Sequence, residues 1–210
     1  RRPPAVERGA GGCSRRPVAR FGLSGPMYVV STRLPGLLEV HVEPLFDERG
    51  SFARTYDRAT LEDLGLDGEV AEITMSQDRL LGTLRGLHWQ AAPGRRTQLV
   101  RVLEGRIFEV AVDLRSASST FGAWASFELS AEDGTGLFVP AGFAHGFMTL
   151  ADDTRVLYQT NEADRPELAR TLRWDDPELA IEWPIAPRAI SREDATCATR
   201  LGDLRARSAA

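Results

Sequence analysis

Few side chains in this 210-residue sequence can carry acid–base chemistry near neutral pH, and the histidines number only three: His41, His88 and His145. A well-oriented imidazole takes or gives a proton in that range. A histidine in a β-rich core can equally be a hydrogen-bonded structural residue, and residue type alone leaves both roles open. The basic side chains are more restrictive. All 26 Lys and Arg residues are Arg, which excludes Schiff-base chemistry, covalent pyridoxal phosphate and the lysine of a phosphate loop. Whatever anion this chain binds meets guanidinium groups, whose planar fork suits phosphate. The same usage is also what a GC-rich genome would write.

Charge is unevenly placed. Residues 1–26 hold six Arg and one Glu, net +5, whereas residues 27–210 hold 20 Arg against 29 acids, net −9. An acidic body argues against a nucleic-acid partner, which calls for a basic face. The first 26 residues are rich in Arg, Gly and Pro and show no apolar periodicity. They are expected to be a disordered leader or upstream extension, with Met27 as the native start. The Arg1-Arg2 and Arg15-Arg16 pairs are not followed by the apolar stretch of about 7–15 residues that an export signal needs. No run is long enough to span a membrane, so no membrane partner is expected. Cys13 and Cys197 make neither a disulfide framework nor a metal site, and a reducing cytoplasm is the expected location.

The elements that must position any site are short strands. In residues 106–114, Phe108, Val110, Val112 and Leu114 alternate with Ile107, Glu109, Ala111 and Asp113, the period of two of a strand. Similar runs lie at 37–43, 51–56, 70–76, 83–90, 98–103, 124–129, 136–139, 146–150 and 154–160, and Glu104-Gly105 reads as a hairpin turn between two of them. Only residues 58–64 and the region after Pro166 read as helical or irregular. With no alternating helices, the pattern predicts an all-β antiparallel sandwich or barrel in one domain, 27–200, followed by a disordered tail, 201–210. Pro177, Pro184 and Pro187 break the C-terminal stretch, which is expected to wrap the barrel rather than extend its sheets.

His145 closes Gly134-x5-Pro140-x-Gly142-x2-His145, which resembles the second motif of the cupins. In metal-binding cupins this His is a ligand together with a His-x-His pair that is absent here, so no metal is expected. A more specific likeness rests on Gly82-Thr-Leu-Arg-Gly-Leu-His-Trp-Gln90, Asp47-Glu-Arg-Gly50, Gly105-Arg-Ile-Phe-Glu-Val-Ala-Val-Asp-Leu-Arg115 and Thr120-Phe-Gly-x-Trp124. Leu129-Ser-Ala-Glu132, Val139-Pro-Ala-Gly-Phe-Ala-His-Gly-Phe147, Trp174-Asp-Asp-Pro177 and Ile181-Glu-Trp-Pro184 complete it. In register from about residue 30 to 194, the chain resembles the dTDP-4-dehydrorhamnose 3,5-epimerase family. The resemblance implies a cupin jelly-roll barrel with a few short helices, usually a homodimer. It also implies that the chain epimerises a nucleotide-linked 4-keto-6-deoxyhexose without metal or organic cofactor.

That reaction can be set against residue types. A C–H beside a ketone is removable because the anion delocalises onto oxygen as an enolate, and inversion needs a base on one face and an acid on the other. The resemblance implies His88 as base, Asp194 as its carboxylate partner and Tyr158 as acid. It implies that Arg49 and Arg85 contact the nucleotide sugar and that His145 lies near the sugar. Arg85 and His88, three apart, would fall on opposite faces of a regular strand, so an irregularity is expected at Gly86.

The chain also departs from the family's pattern. Arg54 stands where a Glu is usual, Gln98 at a phosphate-contacting Lys, and residues 73–75 at a Gln-x-Asn pair. A thymine-stacking aromatic falls near Asp164, a Glu on Ala169, and a Lys beside the carboxylate on Glu193. Arg95 or Arg96 is expected to take over the missing phosphate contact, with Arg54 adding positive charge; a solvated loop pair is the alternative. Three functions follow: a 3,5-epimerase, an epimerase acting at C3 or C5 alone as in antibiotic deoxysugar pathways, or a cupin that binds a sugar nucleotide without turning it over.

Overall fold

The computed structural model describes residues 25–208. The leader expected at 1–26, apart from its last two residues, and Cys13 lie outside the described residues. In chain order the elements are β1 (Met27–Ser31), β2 (Leu38–Val42), β3 (Leu45–Asp47), β4 (Gly50–Phe52), α1 (Arg58–Asp63), β5 (Glu72–Asp78), β6 (Thr83–Gln90), β7 (Gln98–Glu104), β8 (Arg106–Asp113) and β9 (Trp124–Ser130). They continue with β10 (Gly136–Val139), β11 (Phe143–Thr149), β12 (Thr154–Thr160), β13 (Ala169–Thr171), β14 (Ala189–Ile190), α2 (Arg192–Thr196) and α3 (Leu201–Ser208). Twelve of the strands form two facing sheets, ordered β1-β2-β10-β7-β12-β5 and β13-β6-β11-β8-β9, with β14 also paired to β6, and β3 and β4 pair with each other as a separate hairpin. The crossings between sheets make this a cupin-like jelly roll, the all-β class expected.

Alternation along the strands decides what lies between the sheets. Val100, Val102, Leu137 and Val156 from the first sheet pack on Ile107, Ala111, Leu129, Phe143 and Phe147 from the second. Fully burying aliphatic side chains of this kind contributes about 1.5–3 kcal/mol each. In β8 the inward face is the one carrying Glu109 and Asp113, both fully buried. Its more apolar face, with Val110 and Val112, packs outward beneath Leu172, Leu179, Trp183 and Leu201. The C-terminal stretch therefore does cover a sheet.

Two expectations are corrected. Glu104-Gly105 does not close a hairpin, because β7 and β8 belong to different sheets. Gly105, at φ +75°, turns the chain from one sheet to the other, and a Cβ there would meet the Thr154 Oγ1 at 2.4 Å. Nor is 201–210 simply a tail: residues 201–208 form α3, whose Leu201 is buried and whose first N–H donates to the Asp176 carboxylate at 2.7 Å. Leu201 and Leu204 belong to the outer cluster, which gives this segment the apolar anchor a free tail lacks. Helix α1 starts on Asp57, which accepts from the Thr60 N–H, a standard N-cap.

The end of β8 is tied to its following loop by Asp113, which accepts from Arg115 Nε and Nη2 and from the Ser118 and Thr120 hydroxyls, at 2.6–2.8 Å. Burial pushes this carboxyl up, but those donors outweigh it and hold it at about 2, below its ordinary 3.8. A depressed carboxylate stabilises the fold above its unfolded value and loses that contribution as pH falls through the folded one. Asp113→Asn is therefore expected to lower the thermal midpoint at pH 7. The gap to wild type should narrow between pH 4 and 2; a gap independent of pH across that range would refute this role.

Candidate active site

The site begins with a fault in β6. Between β6 and β11, His145 pairs with His88 and Phe147 with Arg85, so three residue steps on β6 stand against two on β11. The extra residue lies at Gly86–Leu87, where Gly86 adopts φ +121°. A Cβ on Gly86 would meet the Gly146 Cα at 2.7 Å, and one on Gly146 would meet the Arg85 carbonyl oxygen at 2.4 Å. Two glycines thus let the backbones touch, and the bulge turns both Arg85 and His88 to one cleft of about 440 Å³ between the sheets.

β14 and β13 flank the same edge of β6, β14 beside Thr83 and Leu84 and β13 beside His88 to Gln90. β14 leads through Ser191, the N-cap of α2, to Asp194. This carboxylate, 4% exposed, lies 2.7 Å from His88 Nε2 and accepts the Gly86 N–H at 3.2 Å. Burial raises the Asp194 carboxyl, but the His88 and Gly86 hydrogen bonds outweigh it and hold it below the ordinary carboxylate range. An ionised Asp194 accepts from Nε2–H, which leaves the His88 Nδ1 lone pair for the cleft.

Tyr158 lines the same cleft from β12, in the opposite sheet. Its hydroxyl lies 3.4 Å from Ser76 Oγ. Burial pushes the phenol well above its usual range; the Ser76 hydrogen bond opposes this, while the charges of Glu109 and Asp78 add to it. Beside His88 stands a second imidazole, His145, whose Nδ1 is 2.7 Å from Glu109 Oε1. Burial pushes the Glu109 carboxyl up against the opposing His145 bond, and Glu109 Oε2 is buried with no hydrogen-bond partner. Glu109 was not among the residues marked by sequence; its only signal was its place on a strand face shared with Asp113.

Arg85 is paired with the buried Asp78, 2.7 Å from Nη2 to Oδ1. Gln98 and Arg96 also line the cleft, and Arg96 Nη1 donates to Asp164 at 2.7 Å. Arg49, Arg54 and Arg95 do not line it. Arg49 sits on the β3–β4 hairpin in an exposed pair with Asp47, Arg54 pairs with Asp57 at the start of α1, and the Arg95 backbone is tied to Glu162 and Asn161. Arg170, opposite Trp89 on β6, also borders the cleft. Among the described residues, no group of three or more His, Cys, Asp or Glu side chains is gathered to hold a metal ion.

The family model described as dTDP-4-dehydrorhamnose 3,5-epimerase matches residues 31–201. The chain is similar to the dTDP-4-dehydrorhamnose 3,5-epimerase of Methanothermobacter thermautotrophicus, with 40% identity over 156 residues, 74% of this chain and 83% of that protein. Among solved structures it is similar to the dTDP-4-dehydrorhamnose 3,5-epimerase from Bacillus anthracis with TDP and PPi bound. The identity there is 36% and the TM-score 0.80, over 82% of this chain and 99% of that one. It is also similar to the dTDP-6-deoxy-D-glucose-3,5-epimerase from Legionella pneumophila in complex with dTDP-4-keto-L-rhamnose. In that case the identity is 34% and the TM-score 0.78, over 87% of this chain and 96% of that one.

Two outcomes follow from the site's geometry. Gly86→Ala should destabilise the fold by at least about 1–3 kcal/mol, the cost of a strained backbone conformation, with the Gly146 contact adding to it. Wild-type stability in denaturant titration would rule out the close approach as a constraint. Because burial holds the Tyr158 phenol above its usual value of 10, it stays protonated as pH rises past that value. The ultraviolet difference between wild type and Tyr158→Phe should show no phenolate at pH 10; a full phenolate signal there contradicts the burial.

Proposed function

The chain belongs to the dTDP-4-dehydrorhamnose 3,5-epimerase family, and from that premise we propose that it is an isomerase acting on a dTDP-linked 4-keto-6-deoxyhexose, inverting C3 and C5 through an enolate. One observation carries the reading: a carboxylate-oriented imidazole and a protonated phenol face one cleft from opposite sheets. A sugar ring seated between them has His88 on one face and Tyr158 on the other. In our reading His88 Nδ1 takes the proton beside the ketone, and Asp194 steadies the imidazolium that forms. The electron pair moves onto the C4 oxygen, and Tyr158 returns a proton from the far side. The raised Tyr158 phenol suits a group that must hold its proton until then.

For substrate contacts we propose Arg85, Gln98, His145 and Arg96, all of which line the cleft. Arg49 and Arg54, paired with Asp47 and Asp57 away from the cleft, are left out of this set. A homodimer is supported by exposed apolar side chains on the β3–β4 hairpin, Leu45, Phe46 and Phe52, with Phe46 78% exposed. No helix among the described residues is long and apolar enough to cross a membrane, and the cysteine usage favours the cytoplasm.

Incubation with dTDP-4-keto-6-deoxyglucose in D₂O, followed by NMR, tests the reaction. Deuterium should enter at C3 and C5; entry at one carbon identifies a monoepimerase, and entry at neither rejects an epimerase of this substrate. Positioned acid and base groups typically contribute about 10²–10⁴-fold, and His88→Asn should lose that much of the exchange rate. Of the neighbouring pair, Arg96→Ala should raise KM and Arg95→Ala should not. Equal effects would deny Arg96 a place at the substrate.

A further inference from the structure

A phenol that gives its proton to carbon becomes a phenolate, and in a buried place that charge needs a hydrogen-bond donor. Burial keeps the proton on Tyr158, so the donor must be close at hand. Among the described residues the phenol has one hydrogen-bond partner, Ser76 Oγ, at 3.4 Å. β5 sets that hydroxyl in place. Tyr158 stands opposite Thr74 and Val156 opposite Ser76, so Thr74, Ser76 and Asp78 share the inward face of the sheet with Tyr158 and the core residue Val156. Ile73 and Met75 take the other face and are exposed. Ser76 and Tyr158 both line the cleft.

Ser76 has a single proton to donate, and Asp78 holds it. The Ser76 hydroxyl donates to Asp78 Oδ2 at 3.0 Å, while Arg85 meets Asp78 Oδ1 from Nε at 2.8 Å and from Nη2 at 2.7 Å. The gap of 3.4 Å to the phenol is longer than a full O–H···O bond, as expected while that proton is committed elsewhere. Two acceptors thus compete for one hydroxyl. While the phenol is neutral, the carboxylate is the better acceptor. Once Tyr158 has lost its proton, the phenolate carries a full charge, whereas Asp78 keeps the Arg85 guanidinium as its counter-charge, and the balance moves to Tyr158. Against burial, the largest influence on the phenol, the Ser76 hydrogen bond is the strongest that favours release of its proton.

We propose that Ser76 is a positioning residue for proton return: as the enolate's electron pair takes the Tyr158 proton, the Ser76 hydroxyl turns from Asp78 Oδ2 to the phenolate oxygen. No proton leaves Ser76, and Tyr158 regains its own from water. The inference rests on the reading of Tyr158 as the acid. A donor aimed at developing charge acts on the step that develops it, here inversion and not abstraction by His88. NMR in D₂O with dTDP-4-keto-6-deoxyglucose separates the two steps, because His88 can return a deuteron to the face it deprotonated, which labels the substrate without inverting it. In Ser76→Ala, inverted product should form about 10- to 100-fold more slowly, the loss of one charge-assisted bond. Label should accumulate in unconverted substrate, KM should stay near wild type, and Ser76→Thr, which restores the hydroxyl, should recover inversion. Wild-type inversion in Ser76→Ala, or labelling and inversion slowed equally, overturns the inference alone. A wild-type protein that neither labels nor inverts this substrate overturns the reaction reading and the inference with it.

Discussion

The approach of Gly86 to Gly146 is the constraint on which the cleft depends. Neither position has room for a Cβ, and together they allow β6 one more residue than β11 across the same span. Without that residue, Arg85 and His88 would alternate, one to the cleft and one away. The bulge also turns the Gly86 N–H out of the ladder toward Asp194, the carboxylate that meets His88. A single backbone irregularity thus presents the imidazole and helps hold its partner. Asp194 in turn ties the C-terminal segment to β6, next to the short strand β14 that brings it there.

Electrostatics at this site is a matter of local pairing. Both cleft imidazoles face a carboxylate, but the two acids are driven in opposite directions: Asp194, with several donors, is held ionised, while Glu109, sealed in the core, is pushed toward its protonated form. The two guanidinium groups paired with Asp78 and Asp164 are fixed in place at the expense of net charge. Such a cleft offers shaped hydrogen-bond donors rather than a broad positive field.

Much of the fold could be read from alternation, because half-buried strands impose period two on the sequence. The run at 83–90 coincides with β6, 136–139 with β10 and 154–160 with β12. Turn chemistry carried less. Glu104-Gly105 marks a reversal, yet nothing local in it says whether the next strand joins the same sheet or the facing one. Residues 201–208 look polar in isolation, and their helix depends on Leu201 and Leu204 meeting a surface made by distant strands. The site divides in the same way. His88, Tyr158 and Asp194 were visible because they sit in recognisable motifs. Glu109 was not, because its place beside His145 appears only once β8's inward face is known. Arg49, Arg54 and Arg95 are cationic in sequence but are carried away from this chain's own cleft by the elements that bear them.

The proposed reaction requires a sugar ring bound between two opposed walls, with base and acid on its two faces. A crystal structure with an unreactive dTDP-hexose tests it most directly. The ring should lie between His88 Nδ1 and the Tyr158 hydroxyl, on opposite faces, each about 3–3.5 Å from a ring carbon or its substituent. A sugar bound outside this cleft, or with both groups against the same face, would contradict it.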